Sequence, residues 1–89
     1  MIRKKLTIVN NLGLHARAAA KLVSCASHYG CKIDLVHNNR RVDGKSILGV
    51  MTLGASKGHE LEIILEGDEE QSALHAIEAL VSNRFGEDE

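Results

Sequence analysis

The chain has 89 residues, 44% of them hydrophobic, with one Tyr, one Phe and no Trp, which implies a single domain, 1–89, with an aliphatic core. A formal net charge of −1 gives no long-range attraction to nucleic acid or to an anionic membrane, and no apolar run approaches the roughly 18 residues of a membrane span. The opening Arg3-Lys4-Lys5 and Leu6-Thr7-Ile8-Val9, cut short by Asn10-Asn11, is too brief for a signal-peptide core. Cys25 and Cys31 stand outside any C-x-x-C pattern and read as buried reduced thiols, so the expected compartment is the cytoplasm.

Along the chain, Ile2, Leu6 and Ile8 share one face of an extended run and predict a first strand. A loop over 10–14 follows, in which Gly13 can take backbone angles closed to other residues. Ala19, Leu22, Val23, Ala26 and Tyr29 keep helical spacing, and Gly30 is the expected C-terminal cap. Cys31, Ile33 and Leu35 alternate with Lys32, Asp34 and Val36 in a second strand, and Asn38-Asn39 predicts a hairpin into a short third strand around Arg41-Val42. Ser46 can N-cap a short helix over 47–53, closed by Gly54. Leu61, Ile63 and Leu65 mark a fourth strand. Asp68 with Gln71 predicts a capping-box start to the last helix. That helix carries Ala73, Leu74, Ile77, Leu80 and Val81 on one face, with Phe85 extending it and Glu87-Asp88-Glu89 as a frayed acidic tail. The order β-α-β-β-α-β-α, with strands apolar on one face, predicts a two-layer α+β sandwich: helices on one side of a mostly antiparallel sheet.

The most telling segment is Gly13-Leu14-His15-Ala16-Arg17. A helix start offers backbone N–H groups without intrahelical partners and the positive end of the macrodipole, and phosphate is a common guest there. A neutral imidazole is a competent phosphoryl acceptor. Acidic residues are expected in a first helical turn, yet 16–26 contains none and holds Arg17 and Lys21 instead. Taken alone, His15 reads equally as a cap or a solvated residue, and Arg17 as a surface charge.

These residues, with a second segment, resemble HPr, the histidine-containing phosphocarrier family of the bacterial phosphoenolpyruvate phosphotransferase system. Gly13-Leu14-His15-Ala16-Arg17 looks like the family's active-site segment, and Gly44-Lys45-Ser46-Ile47-Leu48-Gly49-Val50-Met51-Thr52-Leu53 like its serine-site helix. The resemblance spans the chain and implies an open-faced sandwich with four antiparallel strands in the order 1-4-2-3 under three helices. It implies that His15 accepts phosphate through Nδ1, with Arg17 and the backbone amides of Ala16, Arg17 and Ala18 as its cradle. The implied partners are enzyme I, an enzyme IIA and, through Ser46, HPr kinase/phosphorylase, with Ile47, Leu48 and Met51 as docking surface. Ser46 as a simple helix cap is the alternative. Two departures are visible: Ala18 stands where the family usually has proline, and Leu12 where many sugar-branch members have a small polar residue. The run His15-Ala16-Arg17-Ala18-Ala19-Ala20-Lys21 looks more like NPr, the nitrogen-branch relative, whose partners are a nitrogen-branch enzyme I and IIA. A sugar-branch carrier, or an adaptor switched by phosphorylation, is the alternative.

Gly44-Lys45-Ser46 mimics the end of a P-loop, but the required earlier glycine is Asn39. His28, His37, His59 and His75 lack zinc-type spacing and read as surface positions. The expected molecule is therefore a monomeric phosphoryl carrier without its own metal, nucleotide or other cofactor, a relay and not a free-standing enzyme.

Overall fold

A computed structural model describes all residues, 1–89. Strand β1 (Ile2–Thr7) leads through a loop to helix α1 (Ala16–Ser27). Strands β2 (Lys32–His37) and β3 (Arg40–Asp43) form a hairpin, followed by the short helix α2 (Ile47–Met51), strand β4 (Glu60–Glu66) and helix α3 (Glu70–Ser82). The strands make one sheet in the order β1-β4-β2-β3, antiparallel throughout. The expected open-faced sandwich is the observed one.

Register sorts the residues by face. Ile33 pairs with Leu65 and Leu35 with Ile63, and these side chains form the core with Leu22, Ala26, Leu61 and Ile77 under the helices. The intervening Asp34 and Ile64 lie on the open face, where the Arg41 guanidinium bonds the Asp34 carboxylate at 2.8 Å. Helix α1 buries Ala18, Ala19 and Ala26 completely; such small side chains let its backbone approach the sheet closely. Alanine is also the residue that loses least on entering a helix.

Most predicted signals act as expected. Asn38 and Asn39 take φ of 50° and 64°, the left-handed pair that a two-residue hairpin of matching twist requires. Ser46 caps α2, its Oγ accepting from Gly49 N at 3.2 Å. Val50 and Leu53 are buried, whereas Ile47, Leu48 and Met51 are the exposed apolar residues of that segment.

Four element ends differ from the sequence reading. Helix α1 stops at Ser27 with His28 as its cap; Gly30 is not left-handed, and its N–H instead donates to Glu69 Oε1 at 2.7 Å. Helix α2 ends at Met51 with Thr52 as cap, because the Thr52 hydroxyl turns back to donate to Gly49 O at 2.6 Å. Asp68 caps nothing: α3 begins at Glu70, whose carboxylate accepts from Gly67 N at 3.1 Å. Phe85 does not continue α3. Arg84 and Phe85 both have φ near 55°, so the chain reverses at Asn83 and folds Phe85 into full burial from a separate 3-10 turn, Arg84–Gly86.

The loop between β1 and α1 is held against the segment after α2. Leu14 N donates to Ala55 O at 2.9 Å, and Gly13, at φ +65°, passes so close that a Cβ there would sit 2.6 Å from the same carbonyl oxygen. Gly13→Ala therefore meets both a left-handed backbone and a steric clash, and should lower stability by roughly 2 kcal/mol. Urea unfolding of variant and parent measures it; equal midpoints would refute the close-approach argument.

Candidate functional site

His15 is the N-cap of α1, with extended backbone angles of −75° and 179° and no side-chain bond to the helix it starts. Its carbonyl receives the first helical hydrogen bond, from Ala19 N at 2.8 Å. The N–H groups of Ala16, Arg17 and Ala18 precede that bond and have no helical acceptor. No acidic residue lies in the first turn. Arg17 is exposed and lines the same cleft as His15, Leu12 and Ala16. The structure thus brings together all the residues predicted for the anion site.

It also brings one residue the sequence reading left out. The expected frayed tail is docked over the site. Glu87 Oε2 bonds His15 Nε2, while Glu87 Oε1 accepts from Asn10 Nδ2 at 2.9 Å. Asn10 is fully buried and donates as well to Gly13 O at 2.9 Å. Further bonds fasten the tail's backbone: Lys21 Nζ donates to Phe85 O at 2.6 Å and Asn11 N to Glu89 O at 2.8 Å. Hydrogen bonding and charge explain the docking. Glu87, 72 residues from His15 in sequence, is held by its bonds to His15 and Asn10, and the charge of Lys21 adds to that attraction. A local signal existed: a buried aromatic followed by glycine, Phe85-Gly86, marks a chain that turns back.

Ser46, Ile47, Leu48 and Met51 lie on α2, which packs beside α1. Leu48 is 79% exposed; Leu12, 70% exposed, is the large apolar side chain that lines the His15 cleft itself. Lys45 points the other way, its ammonium donating to Tyr29 O and Cys31 O at 2.7 and 2.8 Å, which ties the end of α1 to the start of β2. Of the remaining histidines, His28 and His75 are at the surface, but His37 is buried and stacks on exposed His59 with ring centroids 5.0 Å apart. Nowhere do three side chains of metal-binding type converge, and no helix is long and apolar enough to cross a membrane.

A helix that offers a histidine and free amides at the rim of a small open-faced sandwich defines a class of phosphoryl-group carriers. The family described as "PTS HPr component phosphorylation site" matches residues 2–83, and on that match the chain belongs to the HPr family of phosphocarrier proteins. It is 46% identical to phosphocarrier protein HPr of Cupriavidus necator over 89 residues, covering all of both chains. Against the HPr of Pseudomonas aeruginosa the identity is 50% over 86 residues, 96% of each chain. The crystal structure of HPr-C-His from Thermoanaerobacter tengcongensis superposes with a TM-score of 0.95 at 39% identity, over all of both chains. Members of this family carry phosphate within the phosphotransferase system, between enzyme I and enzyme IIA, and are not catalytic enzymes.

The hydrogen bonds from Asn10 and His15 hold the Glu87 carboxyl below the usual glutamate range, partial burial opposing them. A group whose pKa falls on folding stabilises the fold above its unfolded pKa and stops doing so as pH drops through the folded value. The parent should therefore lose stability below about pH 4.3 more steeply than Glu87→Gln does. Urea midpoints at pH 7 and pH 3 test this, and parallel losses in the two proteins would show that the docked carboxylate is not linked to folding.

Proposed function

We propose that His15 accepts a phosphoryl group through Nδ1 from enzyme I charged with phosphoenolpyruvate, and passes it to a histidine of an enzyme IIA. The observation that carries this reading is the placement of His15 as N-cap: it stands at the start of the helix whose first amides, 16–18, have no helical acceptor, and its Nδ1 has no hydrogen-bond partner in the chain. Phosphoryl transfer needs little beyond positioning and stabilisation of the equatorial oxygens. Arg17 can offer these oxygens charge-assisted bonds, and the amides with the helix dipole add to them. Donor and metal come with the partners, so the chain acts as a relay in the cytoplasm, a compartment that suits the two free cysteines.

The branch is read from Ala18. This position is fully buried and leaves the first turn without the fixed φ of a proline, in a run, His15 to Lys21, that looks like the nitrogen-branch NPr. We assign the carrier to that branch. Incubation with phosphoenolpyruvate, Mg²⁺ and enzyme I of either the nitrogen or the sugar type, followed by intact mass, tests both statements. Phosphate should be gained, faster from the nitrogen-type donor, and His15→Ala should gain none while remaining folded. Uptake by folded His15→Ala would remove the site, and faster transfer from the sugar-type enzyme would remove the branch.

Ile47, Leu48 and Met51 form the docking surface in this reading, since an apolar patch left exposed on a small domain marks an interaction site. Ser46, at the start of the same helix and partly exposed, is the regulatory phosphorylation site for a kinase of the HPr kinase/phosphorylase type. A phosphate there adds about −1.5 to −2 charges. At a helix start this charge is tolerated, but beside Ile47 and Leu48 it opposes burial against a partner. Ser46→Asp should thus keep its thermal midpoint within a few degrees of the parent while taking up phosphate more slowly at limiting enzyme I. Rapid-quench rates decide; an unchanged rate would leave Ser46 as a helix cap alone.

A further inference from the structure

The family match ends at residue 83, and the tail beyond it carries a contact that the carrier reading does not use. We propose that Glu87 is the positioning residue of this site: it accepts the Nε2–H of His15, fixes that tautomer, and so presents the Nδ1 lone pair to the incoming phosphoryl group. The inference rests on His15 being the phosphoacceptor.

Three observations carry it. The two oxygens of Glu87 are divided between two partners, Nε2 of His15 and Nδ2 of Asn10, so the carboxylate cannot rotate away without breaking both bonds. Asn10, which aims it, is itself buried and tied to the loop at Gly13 O. The pair is largely shielded, with side-chain exposures of 29% for His15 and 13% for Glu87, so a hydrogen bond to the carboxylate is stronger than at an open surface. Behind Glu87 the tail is clamped by buried Phe85 and by the Lys21–Phe85 O bond. The charged groups around this carboxylate are His15, Arg17 and Lys21 on and before α1, with Asp88 and Glu89 following it in the tail. The loop contributes only neutral side chains, Asn10, Asn11 and Leu12.

The chemistry follows from which nitrogen is occupied. A neutral imidazole has one N–H and one lone pair, and the hydrogen bond made by one nitrogen selects the role of the other. With the proton held on Nε2 by Glu87, Nδ1 attacks phosphorus. The Nδ1–P bond forms as the N–P bond of the donor phosphohistidine breaks, and its electron pair returns to the donor nitrogen. The acceptor ring gains positive character as it gives up its lone pair, and the carboxylate opposite, on the far side from the phosphate oxygens, offsets that charge. The proton stays on Nε2 throughout. The same division of labour is seen where an aspartate orients a catalytic histidine.

Glu87→Gln is the informative variant. In the amide one of the two oxygens becomes an NH2 group, which donates and cannot accept, so the bonds from Asn10 Nδ2 to one oxygen and from His15 Nε2–H to the other cannot both be kept in place. Nitrogen-15 NMR of the His15 ring, at a pH where it is neutral, should show the Nε2–H tautomer dominant in the parent and a mixed population in Glu87→Gln and Glu87→Ala. Rapid-quench transfer from phosphorylated enzyme I should slow by about tenfold or more at saturating donor, with the apparent KM within twofold of the parent. A role confined to pinning the tail would lower stability but move neither the tautomer nor the saturated rate, and that result overturns the proposal. A parent that takes up no phosphate overturns the carrier reading and this one with it. A parent that is phosphorylated, with variants equal to it in tautomer and rate, removes Glu87 alone.

Discussion

The buried amide of Asn10 is the contact around which the functional end of the molecule is arranged. It sits in the loop that follows β1, bonds the carbonyl of Gly13 and holds the carboxylate of Glu87. Through the first bond it shapes the turn that delivers His15 to the start of α1. Through the second it joins that turn to a segment far along the chain. Both bonds are made by the Asn10 Nδ2 group, one to the loop and one to the tail, while its buried Oδ1 has no partner. Loss of the loop or of the tail would leave one more buried N–H unpaired, which is costly.

The resulting site brings opposite charges to one cleft. The free amides and positive end of α1, with Arg17, suit an anion, while Glu87, lining the same cleft, bonds Nε2 of His15. Helix α1 carries no acid in its first turn, and the carboxylate that is present leaves Nδ1 without a partner. On the proposed reading, the phosphate and the carboxylate therefore use different nitrogens of the ring. The apolar residues of α2 lie on a helix packed beside α1, so on the same proposed reading a partner would bury Leu48 while its reacting histidine reached His15.

What could be read from the sequence was whatever is decided locally. Asn38-Asn39 must turn in a left-handed sense, Ser46 is a good helix cap in almost any setting, and the alternation of Ile33, Leu35, Leu61, Ile63 and Leu65 allows one face to be buried. The histidine at the helix start, the arginine after it and the exposed faces of Ile47 and Leu48 were legible for the same reason. Hidden features depend on groups distant in sequence. Gly30 has the look of a helix cap, but Glu69 takes its N–H and Lys45 bridges the carbonyls beside it. Asp68 resembles a cap, yet Glu70 reaches Gly67 first. The tail looked solvated because Glu87 and Glu89 find their partners only after the fold has brought Asn10 and Asn11 alongside.

The sheet order also governs how such a chain comes together. Strand β1 has no neighbour except β4, so residues 2–7 wait for residues 60–66 before a single ladder bond can form. Long-range pairings of this kind slow folding, because loop-closure entropy is spent before the contacts that repay it exist. On a ribosome, β1 would emerge first and stay unpaired while some fifty residues are added, a bare strand edge of the sort that associates with other chains. Arg3-Lys4-Lys5 occupies the middle of that strand. Three adjacent positive charges repel a second nascent copy of the same strand, and they remain exposed in the finished sheet. Charges of this kind oppose edge-to-edge association during the interval when the order of strands leaves β1 without its neighbour.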